Sequence, residues 1–230
     1  MGLSQGIDSG QGMTQNHPVI GIIGGTFDPI HVGHLGIAKS AKAALGLTSL
    51  CFLPTGNPWQ KAHAVTPAEH RLAMLRIALA GWPNVVIDTQ EMDRSQQQPA
   101  APSYTIESLV HMRGRVGAQA SLVLVIGSDQ LQRFNTWHRW QEILSFCHLA
   151  VTQRERVPLT DLPEAVEALV NQRGAQRLPN EPCGSIVLFS MPPMPVSSTA
   201  VRKSLRNHED VSGLVPDAVL NYINQHSLYQ

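Results

Sequence analysis

The chain has 230 residues and balances 17 lysines and arginines against 17 aspartates and glutamates. That balance creates no global field to draw in a nucleic-acid backbone or an anionic membrane, so neither is an expected partner. No stretch reaches the roughly 20 apolar residues of a spanning helix, and no basic-then-apolar leader opens the chain, which makes the cytoplasm the expected location.

Residues 1–16, rich in Gly, Gln and Ser without periodicity, are expected to form a flexible tail, and residues 17–230 a single domain. The apolar run at residues 19–23, stopped by Gly24-Gly25, reads as a buried parallel strand. Residues 34–45 keep helical spacing through Leu35, Ile37, Ala38, Ala41 and Leu45, with Gly46 as the cap. A second strand is expected at residues 49–53, and Thr66-Pro67-Ala68-Glu69 combines an N-cap, a first-turn proline and a capping-box glutamate to open a helix through Leu79. Residues 85–87 read as a strand, 95–102 as a polar loop, 105–112 as a helix, and 121–126 and 148–152 as strands. Residues 171–184 lack an apolar stripe and read as a surface excursion before a strand at 185–189. Ser197-Ser198-Thr199 can cap a helix to about Arg206, and Pro216 opens a last helix. Strands alternating with helices predict an α/β fold with three layers and a mostly parallel sheet, whose ligand site lies beyond the carboxyl ends of the strands. The loops starting at Gly24, Pro54 and Gly127 should therefore converge. Cys51, Cys147 and Cys183 lack the paired spacing of a zinc or redox site and read as idle thiols.

Residues 24–34 leave a strand and start a helix. Glycines there let backbone approach a ligand, and the helix start offers N–H groups with partial positive charge. His31 and His34, three residues apart, can both donate to an anion such as a phosphate; two histidines without a third ligand argue against a metal site. Ser198 and Thr199 with Arg202 one turn later can form a second anion clamp.

The string Gly24-Gly25-Thr26-Phe27-Asp28-Pro29-Ile30-His31-Val32-Gly33-His34 resembles the GGTFDPxHxGH signature of the nucleotidyltransferase superfamily, and Val196-Ser197-Ser198-Thr199-Ala200-Val201-Arg202 resembles its ISSTxIR signature. Further segments resemble the nicotinate-nucleotide adenylyltransferase branch. They are Pro54 to Lys61, Ala101-Pro102-Ser103-Tyr104-Thr105, Ile126-Gly127-Ser128-Asp129, Phe134-Asn135-Thr136-Trp137-His138, and Tyr222-Ile223 with Leu228-Tyr229. Trp59-Gln60 stand where relatives have Pro-His, so a substrate-contacting histidine is missing while Lys61 keeps a cation.

The resemblance implies the superfamily's Rossmann-like fold and adenylyl transfer from ATP to nicotinate mononucleotide, giving deamido-NAD and pyrophosphate. It assigns catalysis to His31, His34, Lys61 and Arg202. It assigns ATP binding to Gly24, Gly25, Thr26, Phe27, His31, His34, Gly127, Asp129, Ser198, Thr199 and Arg202, and mononucleotide binding to Lys61, Tyr104, Thr105, Thr136, Trp137 and His138. The Trp137 ring is expected on the pyridine ring, with backbone N–H groups of its loop on the carboxylate. Magnesium is implied, held mainly through the ATP phosphates. A phosphate monoester is already ionised near neutral pH, so the reaction needs no general base. The same motifs leave open an adenylyltransferase for nicotinamide mononucleotide or phosphopantetheine, and a nucleotide-binding protein without turnover. They leave the oligomeric state open as well.

Overall fold

Strand β1 (Val19–Gly25) lies near the middle of one seven-stranded sheet, paired in parallel with β2 (Ser49–Pro54) on one side and β4 (Ser121–Gly127) on the other. In this computed structural model, which describes residues 17–58, 65–99, 101–154 and 161–230, the sheet continues through β3 (Val85–Ile87) beyond β2. On the other side come β5 (His148–Arg154), β7 (Ile186–Met191) and the two-residue β6 (Gly174–Ala175). The order is β3-β2-β1-β4-β5-β7-β6 and every pairing is parallel. Strand order reverses between β1 and β4, so a crevice is expected beyond their carboxyl ends.

Alternation along the central strands explains the layers. Ile22, Leu122 and Leu124 face one way and Ile23, Val123 and Val125 the other, each set inside its own buried cluster. The Ile23 side is covered by α1 (Val32–Leu45), α2 (Ala68–Ala78), α7 (Ser198–Arg206) and α8 (Asp217–Gln225), through Ala38, Ala41, Met74, Leu75, Val201, Val219 and Ile223. The Ile22 side is covered by α4 (Thr105–Val116), α5 (Ser128–Leu131), α6 (Glu164–Arg173) and two 3-10 helices, Phe134–Thr136 and Trp140–Ser145. Among the described residues no helix is long and apolar enough to cross a membrane. Residues 1–16, expected as a tail, lie outside the described residues.

Three expectations change. The expected polar loop at residues 95–102 begins inside a helix, α3 (Gln90–Gln97), whose polar face is buried rather than solvated. There Gln90 Nε2 donates to Asp88 Oδ2 at 2.9 Å, and Ser108 of α4 donates to Glu91 Oε1 at 2.7 Å while accepting from Arg94 Nη2 at 2.7 Å. Helix α2 begins at Ala68 with Pro67 in the cap position rather than Thr66: the Pro67 carbonyl accepts the first helical N–H bonds, from His70 (3.1 Å) and Arg71 (3.2 Å), while the Thr66 carbonyl accepts from Arg71 Nε at 2.9 Å. The surface excursion at 171–184 includes the end of α6 and the edge strand β6.

Cys51 and Cys147 are buried, and desolvation pushes both thiols up to about 12, which leaves them unreactive near neutral pH. Leu122, fully buried near the start of β4, belongs to the close-packed cluster on the Ile22 side of the sheet. Leu122→Ala is expected to cost about 2–5 kcal/mol, measured as a lower urea midpoint; a shift under about 1 kcal/mol would contradict this core assignment.

Candidate active site

The loop after β1 is built around two buried residues. Phe27 sits at 1% exposure with left-handed backbone (φ 51°), its ring packed on His34 (5.1 Å) and Phe52 (5.8 Å). Its side chain belongs to the core, so its backbone is what faces the loop. Asp28, 2% exposed, accepts from Tyr229 Oη at 2.7 Å and from the Thr66 N–H at 3.4 Å. Burial raises the Tyr229 phenol well above its ordinary range, so it remains a donor.

His31 is the N-cap of α1 and His34 its third residue. Their rings stack with centroids 3.8 Å apart. The His31 N–H donates to His34 Nδ1 at 3.3 Å, which puts the His34 proton on Nε2 and makes that nitrogen a donor. Desolvation lowers His31 to about 4, so its imidazole is neutral at physiological pH. The buried His31 Nδ1 makes no hydrogen bond of normal geometry and is turned toward the first turn of α1, 3.0 Å from where a Cβ at Gly33 would sit. One donor expected at this helix start is already used, since Val32 N–H donates to Leu214 O at 3.0 Å.

The second motif docks directly on the first. A Cβ at Gly33 would lie 2.9 Å from Val196 Cγ1 and 3.0 Å from the His31 ring, so only glycine lets residue 196 and the imidazole close on α1. Ser197 caps α7, its Oγ accepting from Ala200 N–H at 3.2 Å. Ser198 Oγ donates to Pro29 O at 3.1 Å, and Thr199 is exposed on the first turn. Arg202, expected as a phosphate clamp, is 5% exposed; its Nη1 donates to Asp28 O at 2.7 Å and lies 3.9 Å from Asp28 Oδ2. It ties the two motifs together.

At the neighbouring strand ends, Gly24 is exposed, and a Cβ at Gly127 would meet Asp129 Oδ1 at 2.5 Å. Asp129 is exposed and accepts from Gln130 Nε2 at 2.9 Å. The loop after β2 joins the Ser103-Tyr104-Thr105 segment through Asn57, whose N–H donates to Ser103 Oγ at 3.2 Å and whose Nδ2 donates to Pro99 O at 3.1 Å. Tyr104 caps α4 and stacks on His138 with centroids 4.2 Å apart. Trp137 instead packs on Phe134 at 5.5 Å, with Nε1 buried and without a partner. The N–H groups of Thr136 and Trp137 close a 3-10 turn onto Arg133 O (2.9 Å) and Phe134 O (3.1 Å). Lys61, with Trp59 and Gln60, lies outside the described residues.

Thr66, Arg71 and Tyr229 join these loops without having been expected there: Thr66 and Tyr229 donate to Asp28, and Arg71 Nη1 donates to Thr26 O and Thr55 O. Tyr229 had a sequence signal in the Leu228-Tyr229 ending. Arg71 had none, since an arginine in an amphipathic helix normally reads as a solvated face.

A neutral, buried His31 makes folding sensitive to acid. The unfolded state takes up its proton near 6.5 and the folded state only near 4, so this contribution is complete at higher pH and is lost as pH falls between those values. Between about pH 7.5 and about pH 4.5 the wild type should lose roughly 2 kcal/mol more than His31→Gln in urea unfolding, and equal losses would contradict the assignment.

Residues 22–204 match the protein family described as Cytidylyltransferase-like. The chain is 37% identical over 220 residues to the "Probable nicotinate-nucleotide adenylyltransferase" of Acidithiobacillus ferrooxidans, covering 94% of this chain and 98% of that protein. It is 38% identical over 216 residues to the protein of the same name from Dechloromonas aromatica, covering 92% and 97%. The solved structure of Plasmodium falciparum nicotinic acid mononucleotide adenylyltransferase complexed with NaAD shares the fold, with a TM-score of 0.68 at 17% identity over 93% of this chain and 98% of that one. With its two signature segments joined at the switch point of a parallel sheet, the chain belongs to the cytidylyltransferase-like family and, within it, to the nicotinate-nucleotide adenylyltransferases.

Proposed function

We propose that the protein transfers the adenylyl group of ATP to nicotinate mononucleotide, releasing pyrophosphate and forming nicotinate adenine dinucleotide in NAD biosynthesis. The observation that carries this is the junction of two phosphate-type segments 169 residues apart, sealed by the Ser198 to Pro29 hydrogen bond at the carboxyl end of β1. The nucleophile is an oxygen of the mononucleotide phosphate. It attacks the α-phosphorus in line, the bond to the β-phosphate oxygen breaks, and pyrophosphate leaves with that electron pair. No covalent enzyme intermediate forms.

On this reading the imidazoles of His31 and His34 donate to phosphate oxygens of ATP; the His34 tautomer, with its proton on Nε2, supports that role. Gly24, Gly25, Thr26 and the backbone of Phe27 line the path of the triphosphate. Ser198, Thr199 and Arg202 bound its other side, Arg202 from its buried position behind Asp28. Gly127 and Asp129 are assigned to the adenosine. Magnesium would be held mainly through the phosphates of ATP and would share in neutralising the charge that grows on the departing pyrophosphate.

The mononucleotide is assigned to Tyr104, Thr105, Thr136, Trp137 and His138, with Lys61 as a cation for its phosphate. For Thr136 and Trp137 N–H groups to receive the nicotinate carboxylate, their 3-10 turn has to open, exchanging two carbonyl partners for one anion. Residues 17–230 act as one unit on this reading, because the phosphate site draws on both ends of that range, and the reaction runs in the cytoplasm.

The test is pyrophosphate release from ATP and magnesium with nicotinate or nicotinamide mononucleotide. Release with the nicotinate form is expected to dominate; release with neither defeats the reading. His34→Ala should lower kcat by about 100- to 1,000-fold with its circular dichroism unchanged, and near-normal turnover would remove His34 from the mechanism.

A further inference from the structure

Arg71 belongs to neither signature segment, yet it is 2% exposed and its guanidinium ends among backbone carbonyls of three separate stretches. Nη1 donates to Thr26 O and to Thr55 O, both at 2.8 Å, Nε to Thr66 O at 2.9 Å, and Nη2 to Gly56 O at 3.4 Å. Thr26 lies on the loop that runs from β1 to His31. Thr55 and Gly56 lie on the loop after β2, whose next residue, Asn57, holds Ser103 beside Tyr104 and Thr105. Thr66 closes a ring, since its N–H donates to the same Asp28 carboxylate that Tyr229 holds.

Burying a cation is expensive unless each donor is placed, and a leucine or methionine would fill the same space without that cost. The fork of a guanidinium is the shape that can bind several carbonyls on two loops at fixed separation; a lysine ammonium is a point donor. We propose that Arg71 is a positioning residue that locks the phosphate loop after β1 to the loop after β2, and so sets the approach of the mononucleotide phosphate to the ATP α-phosphorus. This rests on the reaction proposed above. Arg71 touches neither substrate and acts through the backbone of Thr26, Thr55 and Gly56.

The test is Arg71→Lys, which keeps charge and stem but loses the fork. Pyrophosphate release is measured over a range of each substrate, together with thermal unfolding and calorimetric binding of a non-hydrolysable ATP analogue. The expected result is a kcat lower by about 100-fold in folded protein, with the analogue bound within about threefold of wild type, because misalignment of two bound groups costs rate more than affinity. A merely stabilising role predicts a lower melting temperature with kcat of the folded protein unchanged, and that result overturns the proposal. If Arg71→Lys does not fold, Tyr229→Phe carries the test by loosening the Asp28 and Thr66 end of the ring. A kcat lower by about 3- to 10-fold at a near-native melting temperature supports the proposal, and an unchanged kcat overturns it. Wild type assayed in parallel separates the two claims: no release from it overturns the reaction and the proposal with it, whereas wild-type release with undiminished variant turnover overturns the proposal alone.

Discussion

A carboxylate at 2% exposure cannot remain in a protein interior unpaired, and the partners that hold Asp28 are drawn from across the chain. Tyr229, the last residue but one, donates to it; Thr66 donates from the stretch before α2; Arg202 comes from α7 and also takes the Asp28 carbonyl. The loop that presents His31 and His34 is thus shaped by side chains that are not in it. Its geometry depends on completing the fold to the C-terminus.

That dependence gives the two signature segments different duties. The first carries the two imidazoles, a His34 with its proton on Nε2 and a His31 kept neutral by burial. The second supplies the support: Val196 against Gly33, Ser198 on Pro29, Arg202 on Asp28. A guanidinium read from sequence as a phosphate ligand is mostly buried behind the loop.

The residues assigned to the mononucleotide on the proposed reading are less preformed. Tyr104 and His138 already stack, but Trp137 rests on Phe134 and its loop N–H groups are turned inward. Closing a 3-10 turn satisfies those groups when no anion is present, and an anion offers a stronger acceptor to compete for them.

The alternation of strands with helices, the positions of most strands and the phosphate loop were largely legible, because they rest on contiguous periodicity and on residues adjacent in sequence. Helix α3 was not, since its polar residues look solvated until Ser108 and Asp88 are seen beside them. Thr66 read as a helix cap by local pattern, but Asp28 and Arg71 offered its backbone better-placed partners. The sequence by itself determined the layered parallel fold, the two phosphate-type segments and the family they belong to. Only the tertiary structure decided which polar groups are exposed to substrate and which are braces, because Arg71 reaches Thr26 across 45 residues and Tyr229 reaches Asp28 across 201. Hydrogen-bond partners at such separations are chosen by what folding brings into contact, and local pattern carries no information about them.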